Sequence, residues 1–544
     1  MRFTSLVVEL IRARPLLVFW VVALFQAVMW LLVSLLLYRG PPDGLATALA
    51  FGREYQVGTD LGPPLAFWLA DIAYRAAGSH MIGVYLLSQL CIIVAFRVLF
   101  ELARTIAGSQ QAVLALLLTM TVTAFGAPSL TFGPQVLALP LWSLLLLHAW
   151  RIIGQGRNAW FALSIEAGLL LLTTPDAAGL LVALAVFALA TERGRNALGS
   201  VDSLFALLVI AVLALPYLIW LVRADALGAP PWPDIFELHL RLLRWGELLL
   251  SLLLATAGLV LLVVLNSRFV NRTSEDAPVI VRPPADPLAQ TFVYVFALAP
   301  ALGGSLVAAL FGVHHVIGGA PIALSMSGLA VVLLTGDLIH LRRLRVLRAA
   351  WLAAVVAPAL AVIAMVAGQP WFANTEIATS LPASAISAYF GESFERRTNR
   401  PLQAVAGDPQ LAALVALGPS RPHLLLDAAP IAFSSEVGTG SREENASKHK
   451  SSRAFSSEAE SGSREENASK HKDRRTPWIT PAKFTELGGV VVWRASDTAG
   501  TPPEAIARRF PGIVPEIPRT FDRLVNGRLP LLRIGWAIVR PKAP

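Results

Sequence analysis

Residues 16–38 read LLVFWVVALFQAVMWLLVSLLLY, an unbroken run of 23 residues without a charged side chain. An α-helix of this length spans the roughly 30 Å hydrocarbon core of a lipid bilayer. No small-residue cleavage site follows the run, so we expect a retained transmembrane helix and not a removed signal peptide. The run sets the class of the whole chain, because comparable runs recur after it.

The later apolar runs are separated by short charged loops. Of the 544 residues, 55% are hydrophobic and 15% are charged, and the mean hydropathy is +0.61. These values are far from those of soluble proteins. They predict a polytopic all-α membrane bundle over residues 1–368, with the lipid bilayer as its main partner. The eleven predicted spans are residues 16–38, 81–100, 110–126, 134–150, 159–174, 176–191, 203–222, 247–265, 290–311, 316–338 and 349–368.

The distribution of arginine predicts the orientation of the bundle. With the N-terminus placed inside, fifteen arginines fall in inside loops and only six in outside loops before residue 368. Positive residues concentrate on the cytoplasmic side of membrane proteins, so the pattern favours an N-in and C-out topology. The net charge of +9 is explained in this way, and no nucleic-acid partner is predicted.

Two long segments are predicted on the outer side, residues 39–80 and 223–246. Within the first, Pro63 and Pro64 open a predicted amphipathic helix that lies on the membrane surface. Asp71 and Arg75 form an i, i+4 pair on the opposite, polar face. The apolar face of this helix would hold Leu65, Trp68, Leu69, Ile72 and Ala76.

The long apolar runs stop near residue 369, and residues 369–544 are predicted to form a small extracytoplasmic α/β domain. The predicted strands are residues 402–406, 423–427, 489–493 and 534–539. A duplication interrupts the domain, because residues 432–450 match residues 454–472 at sixteen of nineteen positions. The polar composition of residues 432–472 predicts a disordered insertion. Cys91 is the only cysteine, so no disulfide can form within the chain. It lies within a predicted span.

Three short motifs follow the first span: PPDG at 41–44, FGREYQVG at 51–58 and GPPLAFWL at 62–69. Farther on stand FGPQVLALPLW at 132–142 and TTP at 173–175. Over roughly the first 200 residues of this chain, these motifs resemble the family 39 glycosyltransferases, which include protein mannosyltransferases and the lipid A aminoarabinose transferase. In that family an acidic pair follows the first span, and Asp43 matches its first member. Pro63, Pro64 and Leu65 match a second family motif that leads into an interfacial helix.

The resemblance implies a GT-C membrane fold and a sugar transfer from a polyprenyl-phosphate donor to a lipid, glycan or protein acceptor. The reaction would take place at the outer face of a bacterial inner membrane. It needs a base for the acceptor hydroxyl and cations for the departing phosphate. Asp43 is the candidate base and Arg53 the candidate phosphate clamp, while Glu54, Tyr55 and Asp60 would orient sugar hydroxyls. The sugar, hexose or pentose, stays open, as does a requirement for a divalent cation.

The motifs also depart from the family pattern. Gly44 stands where a second carboxylate is usual, Gly62 where a histidine is frequent, and Thr174 near a frequent lysine. These departures keep a second class of function open, a lipid-linked sugar transporter or a non-catalytic binding relative. Asp43 can equally be a turn residue, and Arg53 and Glu54 can be solvated surface charges.

Two other sites and one further class of function have simple interpretations. His314 and His315 are adjacent and are predicted to be loop residues and not metal ligands. Arg97 and Glu101 are four residues apart near the inner end of a span, where they are predicted to pair or to extend toward the interface. A receptor function ranks last, because no cytoplasmic output module follows residue 368.

Overall fold

The structure is a computed structural model that describes residues 3–59, 61–224, 237–267, 279–281, 284–336, 338–340, 344–372, 376–425, 481–525 and 527–541. The chain divides into two compact units. The first comprises residues 1–221, 227–386 and 520–532, and the second comprises residues 222–226, 387–519 and 533–544.

The first unit is almost entirely helical. Its first part contains α1 (Phe3–Ala13), α2 (Pro15–Leu37), α3 (Leu45–Arg53), α4 (Leu65–Ala76), α5 (Met81–Ala107), α6 (Ser109–Thr119), α7 (Pro134–Ile153), α8 (Trp160–Leu171), α9 (Ala177–Ala190), α10 (Glu192–Leu198) and α11 (Val201–Arg223). Its second part contains α12 (Leu238–Ala255), α13 (Ala257–Asn266), α14 (Pro287–Leu298), α15 (Gly304–Leu310), α16 (Gly319–Leu324), α17 (Ser327–Leu334) and α18 (Leu344–Phe372). Two short strands, β1 (Val279–Val281) and β2 (Leu338–His340), pair antiparallel.

Each predicted span coincides with a helix or a helix pair. In the described part of the chain, six helical segments are long and apolar enough to cross a membrane, or nine if each sharply bent pair is one span. The bends lie after α6, between α9 and α10, and between α12 and α13, at 85°, 109° and 56°. The apolar helices Trp160–Leu171 and Gly319–Leu334 are shorter. The chain is therefore a multi-pass membrane protein, while the number of crossings and their orientation stay predictions.

The core of the first unit lies between α5, α6, α7 and α14. Trp142 of α7 packs against Phe296 of α14, with ring centroids 6.0 Å apart, and Trp142 is fully buried. Phe292 and Phe296 contact each other and also Phe187 of α9. These aromatic contacts hold the helices together in lipid, where dispersion replaces the hydrophobic effect as the main attraction.

Helix α4 is present as predicted, with Asp71 away from the face that carries Trp68 and Ile72, but Asp71 is buried in the protein. The buried residues of α4 are Ala66, Phe67, Ala70, Asp71 and Tyr74. Asp71 is 0% exposed, whereas Ile72 is 49% exposed. Asp71 is tolerated in the interior because Tyr55 and Arg75 both contact its carboxylate. The predicted Asp71–Arg75 pair does form, at 2.7 Å.

The second unit contains a five-stranded mixed sheet. The strands are β3 (Ala404–Gly407), β4 (His423–Leu425), β5 (Gly489–Arg494), β6 (Pro515–Phe521) and β7 (Leu532–Val539), in the order β4-β3-β5-β7-β6. Helices α19 (Ala383–Thr398), α20 (Pro409–Ala416), α21 (Pro481–Leu487) and α22 (Glu504–Arg509) complete it. All four predicted strands are found, and β6 is additional. The duplicated segment, residues 432–472, lies outside the described residues.

Candidate functional site

The motifs of residues 39–80 build one end of the first unit, here called the α3–α4 end. Leu65 N donates a hydrogen bond to Leu172 O at the end of α8, at 3.0 Å. The ring of Tyr38 after α2 contacts that of Tyr85 near the start of α5. Loops distant in sequence therefore meet at the α3–α4 end, and the last turns of α5 and α7 lie at the opposite end of the bundle.

Asp43 lies in the turn that begins α3. Gly44 follows it as the N-cap, with a left-handed φ of 77°, and Leu45 N bonds to Pro42 O at 3.1 Å. The side chain of Asp43 is exposed. Asp43 therefore lies beside the positive end of the α3 dipole.

The turn before Asp43 is fixed by the segment that follows α18. The amides of Arg39 and Gly40 both donate to the carbonyl of Thr379, at 2.9 and 3.2 Å. Gly40 lies so close to this segment that a Cβ there would be 2.7 Å from Leu381 O. The backbone three residues before Asp43 is therefore held by a buried segment and not by α2 alone.

That segment is held in turn by residues 520–532. Arg523 is 7% exposed, and its Nε donates to Glu376 Oε1 at 2.7 Å. Leu524 N donates to Ser380 O at 3.1 Å. A chain of contacts inside the first unit thus runs from Arg523 to the turn that carries Asp43.

The other predicted binding residues lie at the far end of α3. Arg53 is its last residue, and Glu54 and Tyr55 follow directly. A nine-residue helix is about 13 Å long, so Arg53 must extend back along α3 if it and Asp43 are to contact one sugar phosphate. Arg53, Glu54 and Tyr55 thus stand together at the end of α3 opposite the turn of Asp43, while Asp60 lies outside the described residues.

Tyr55 belongs to a small polar network centred on Asp71. Its hydroxyl donates to Asp71 Oδ2 at 3.0 Å, and its backbone has a positive φ of 48°. Arg75 pairs with the same oxygen at 2.7 Å and lies 5.4 Å from the Tyr55 ring centroid. Trp68 Nε1 donates to Gln56 O at 3.1 Å. The network fixes the chain after α3, and sequence reasoning missed the central role of Asp71.

Glycine allows α3 and α4 to approach closely. A Cβ at Gly52 would collide with the carbonyl of Phe67. The small residues Gly52, Ala66 and Ala70 are a sequence signal for such a contact, and they could have indicated the protein-facing side of α4.

The departures from the family pattern have a backbone explanation at two positions. Gly44 has a φ of 77° and Gly62 a φ of 123°, which L side chains rarely adopt. Gly62 and Thr59 exchange two backbone hydrogen bonds, at 2.9 and 3.3 Å. A histidine at position 62 would therefore strain this turn.

A second polar cluster lies at the α3–α4 end. The turn after α8 contacts the turn at Gly62, where a Cβ would lie 3.9 Å from Pro175. The next residue, Asp176, accepts from Gly318 N at 2.8 Å and lies 3.3 Å from His315 Nε2. His315 is thus a loop residue with a defined partner, as its predicted loop position allows.

Two arginines of α12 complete this cluster. The guanidinium groups of Arg241 and Arg244 lie beside Gly312, in the same loop as His315. Arg241 also pairs with Glu237 at 2.9 Å. Guanidinium groups bind phosphate through two parallel hydrogen bonds, so this cluster can hold an anion. The arrangement joins residues more than 60 positions apart in sequence, so no local sequence motif predicts it.

A bound metal was an open alternative. Among the residues that the structure describes, no group of three or more His, Cys, Asp or Glu side chains could hold a metal ion. Asp60 is not among them, so the requirement for a divalent cation stays untested.

The fold and the position of these motifs define a class, the membrane proteins of GT-C fold. The sequence profile of the dolichyl-phosphate-mannose-protein mannosyltransferases matches residues 62–220. The resemblance to family 39 glycosyltransferases is thereby confirmed. No curated protein sequence matches the chain.

Two solved structures share the fold. ArnT from Cupriavidus metallidurans bound to undecaprenyl phosphate is 14% identical, with a TM-score of 0.52 over 96% of this chain and 97% of that chain. The same protein in the apo state is 12% identical, with a TM-score of 0.51 and the same coverage. The structural similarity to ArnT thus extends over nearly the whole chain, well beyond the segment that the family profile matches.

Proposed function

We propose that the protein is a membrane glycosyltransferase that moves a sugar from a polyprenyl-phosphate donor to a lipid, glycan or protein acceptor. The proposal places the reaction at the outer face of a bacterial inner membrane, with the second unit in the extracytoplasmic space. The proposal rests on the exposed Asp43 carboxylate. Its turn is held by hydrogen bonds to the buried residue Thr379, within a fold shared with ArnT.

In the proposed step, Asp43 accepts the proton of an acceptor hydroxyl. The acceptor oxygen forms a bond to the anomeric carbon, and the bond from that carbon to the phosphate oxygen breaks. The phosphate leaves with the electron pair, so its developing charge needs cations more than it needs a proton. One base is sufficient for this displacement.

Two cationic groups can hold that phosphate. Arg53 is the clamp expected from the sequence, and the pair Arg241 and Arg244 beside Gly312 is the alternative from the structure. A donor-binding assay of the variants Arg53→Gln and Arg241→Gln distinguishes the two candidates. Only the variant that removes the true phosphate clamp should bind the donor more weakly. Glu54, Tyr55 and Asp60 remain the proposed contacts to sugar hydroxyls.

A transporter or non-catalytic binding protein is the second candidate. Gly44 favours this candidate, because it leaves Asp43 without a second carboxylate next to it in the chain. The φ of 77° at Gly44 is one that L side chains rarely adopt. The discriminating experiment incubates the purified full chain with undecaprenyl-phosphate sugars and envelope acceptors. Release of undecaprenyl phosphate with a glycosylated acceptor supports the transferase. Tight donor binding with no release across the whole acceptor pool supports the alternative.

A further inference from the structure

A charged cleft of about 450 Å³ lies between α5 and α7, at the end of the bundle opposite Asp43. It is separate from both polar clusters described above. Arg97, Glu101 and Arg104 come from α5, and His148 and Arg151 come from α7. Aliphatic side chains form the rest of its lining, namely Val98, Leu144 and Leu147.

The α5 side of the cleft is organised by one carboxylate. Glu101 pairs with Arg97 at 3.0 Å and with Arg104 at 2.5 Å. The side chain of Glu101 is 15% exposed, whereas those of Arg97 and Arg104 are 37% and 53% exposed. Two guanidinium groups thus share one carboxylate, and each keeps several of its five N–H donors for other acceptors.

The α7 side has a defined proton arrangement. Arg151 Nη1 lies 3.1 Å from His148 Nε2, and His148 Nδ1 lies 2.8 Å from Glu166 Oε1. A guanidinium can only donate, so Nε2 accepts and Nδ1 carries the proton that is donated to Glu166. Among the described residues that line the cleft or pair with its lining, the guanidinium groups are those of Arg97, Arg104 and Arg151, and the carboxylates are those of Glu101 and Glu166. Three cationic groups are thus balanced by two carboxylates.

Two of the three arginines, Arg104 and Arg151, lie near helix ends, where lipid headgroups are expected. Arg104 is three residues before the end of α5 and Arg151 two residues before the end of α7, which is about 3 to 5 Å along each axis. Arg97 lies deeper, about 15 Å from the end of α5. A guanidinium at such depth is costly unless it has a partner, and ionisable residues inside a membrane commonly mark functional sites.

We propose that this cleft binds the headgroup phosphate of an anionic phospholipid from the leaflet at that end of the bundle. The exposed Arg104 and the half-buried Arg151 would hold the phosphate, and the half-buried Leu144 would contact the first methylenes of an acyl chain. A choline headgroup would add a positive charge to an already positive cleft. Basic pockets between transmembrane helices recognise anionic lipids in this way.

The first experiment needs no variant. The full chain, purified in neutral detergent, is titrated with phosphatidylglycerol or phosphatidylcholine, and bound lipids are counted by native mass spectrometry. We expect phosphatidylglycerol to bind about tenfold more tightly, because both lipids carry the phosphate but only phosphatidylcholine brings a fixed positive charge into the positive cleft. Equal binding of the two lipids would overturn the proposal. Displacement of the lipid by inorganic phosphate at equal concentration would also overturn it, because it would indicate a site for free phosphate.

The second experiment locates the site. The variant Arg104→Gln/Arg151→Gln is compared with Arg157→Gln, which removes one positive charge from an exposed position outside the cleft. We expect the double variant to lose about tenfold in affinity for phosphatidylglycerol and the control to stay within about twofold. Equal losses in both would contradict a specific cleft. If the double variant does not fold, the exposed single variant Arg104→Gln gives the same comparison with a smaller expected loss.

Discussion

At the scale of residues, Asp71 determines how the chain leaves α3. Its carboxylate is fully buried, yet Tyr55 and Arg75 both contact one of its oxygens. A buried charge is tolerated only when it is paired and hydrogen-bonded. The Tyr55 side chain is thereby directed toward α4, and the residues before it, Arg53 and Glu54, are positioned with it.

Replacement of Asp71 by asparagine should destabilise the membrane unit. The loss of charge-assisted hydrogen bonds to Tyr55 and Arg75 predicts a cost of about 1 to 3 kcal/mol. The same chemical change at the exposed Asp202, which accepts one bond from Asn158, should cost about 0.5 kcal/mol or less. Thermal unfolding in detergent measures both. A smaller shift for Asp71→Asn than for Asp202→Asn would show that the buried network contributes nothing.

The positive φ of Gly62 predicts a backbone cost for any L side chain. Its nearest contact would be ordinary, so Gly62→Ala isolates conformational strain, which we expect to cost about 1 to 2 kcal/mol. The control Gly246→Ala lies in α12 with open space around the new Cβ and should be neutral or slightly stabilising. Unfolding temperatures of the two variants test this difference. A neutral Gly62→Ala would mean that the family histidine is compatible with this turn.

At the scale of elements, α3 depends on a segment far away in sequence. Residues 378–381 hold the turn before α3, and the buried Arg523–Glu376 pair holds that segment. Burial also lowers the pKa of the Arg523 guanidinium, although the group stays charged at neutral pH. The position of Asp43 is therefore set by contacts with residues more than 300 positions later.

Loss of one partner of this pair should loosen the turn. In Arg523→Leu, the buried carboxylate of Glu376 loses its charged partner. We expect the free energy of unfolding to fall by about 3 kcal/mol or more. Hydrogen exchange at the Arg39 and Gly40 amides should rise with it. The double variant Arg523→Leu/Glu376→Leu should recover part of the stability, since no buried charge is left. Unchanged exchange at these amides in Arg523→Leu would separate the pair from the Asp43 turn.

The sheet of the second unit also contains a position where only glycine fits. Gly407 ends β3 with a φ of 117°, and a Cβ there would collide with the carbonyl of Val492 in β5. We expect Gly407→Ala to cost about 2 kcal/mol or more through strand displacement. Gly391→Ala, in α19 with open space around it, should be neutral or stabilising. Protease resistance of the second unit compares the variants, and equal resistance would contradict the contact between β3 and β5.

At the scale of the whole molecule, the predicted helices are confirmed because each apolar run reflects a local requirement. A span needs only length and hydropathy, both readable within about twenty residues. Strand β6 was missed because it is an edge strand with two prolines, Pro515 and Pro518, and exposed side chains. Its residues do not form the apolar run that marks a central strand.

The candidate site was predictable only in part. Asp43, Arg53, Glu54 and Tyr55 stand close together in the chain, and their order resembles that of a known family. The cluster of Asp176, His315 and Arg241 depends on helix packing across the bundle, and the backbone angles of Gly44 and Gly62 leave no mark in a single sequence. Amphipathic patterning also did not indicate that Asp71 is buried, because its partner Tyr55 lies outside the helix.

The direct test of the proposed reaction is sugar transfer by Asp43→Asn with a polyprenyl-phosphate donor. The purified variant is compared with wild type and with Asp202→Asn, a matched change at an exposed position on α11. Loss of a general base predicts a rate lower by about 10² to 10⁴, with donor binding retained. The control should transfer at the wild-type rate. Transfer by Asp43→Asn at the wild-type rate would contradict the assignment of Asp43 as the base.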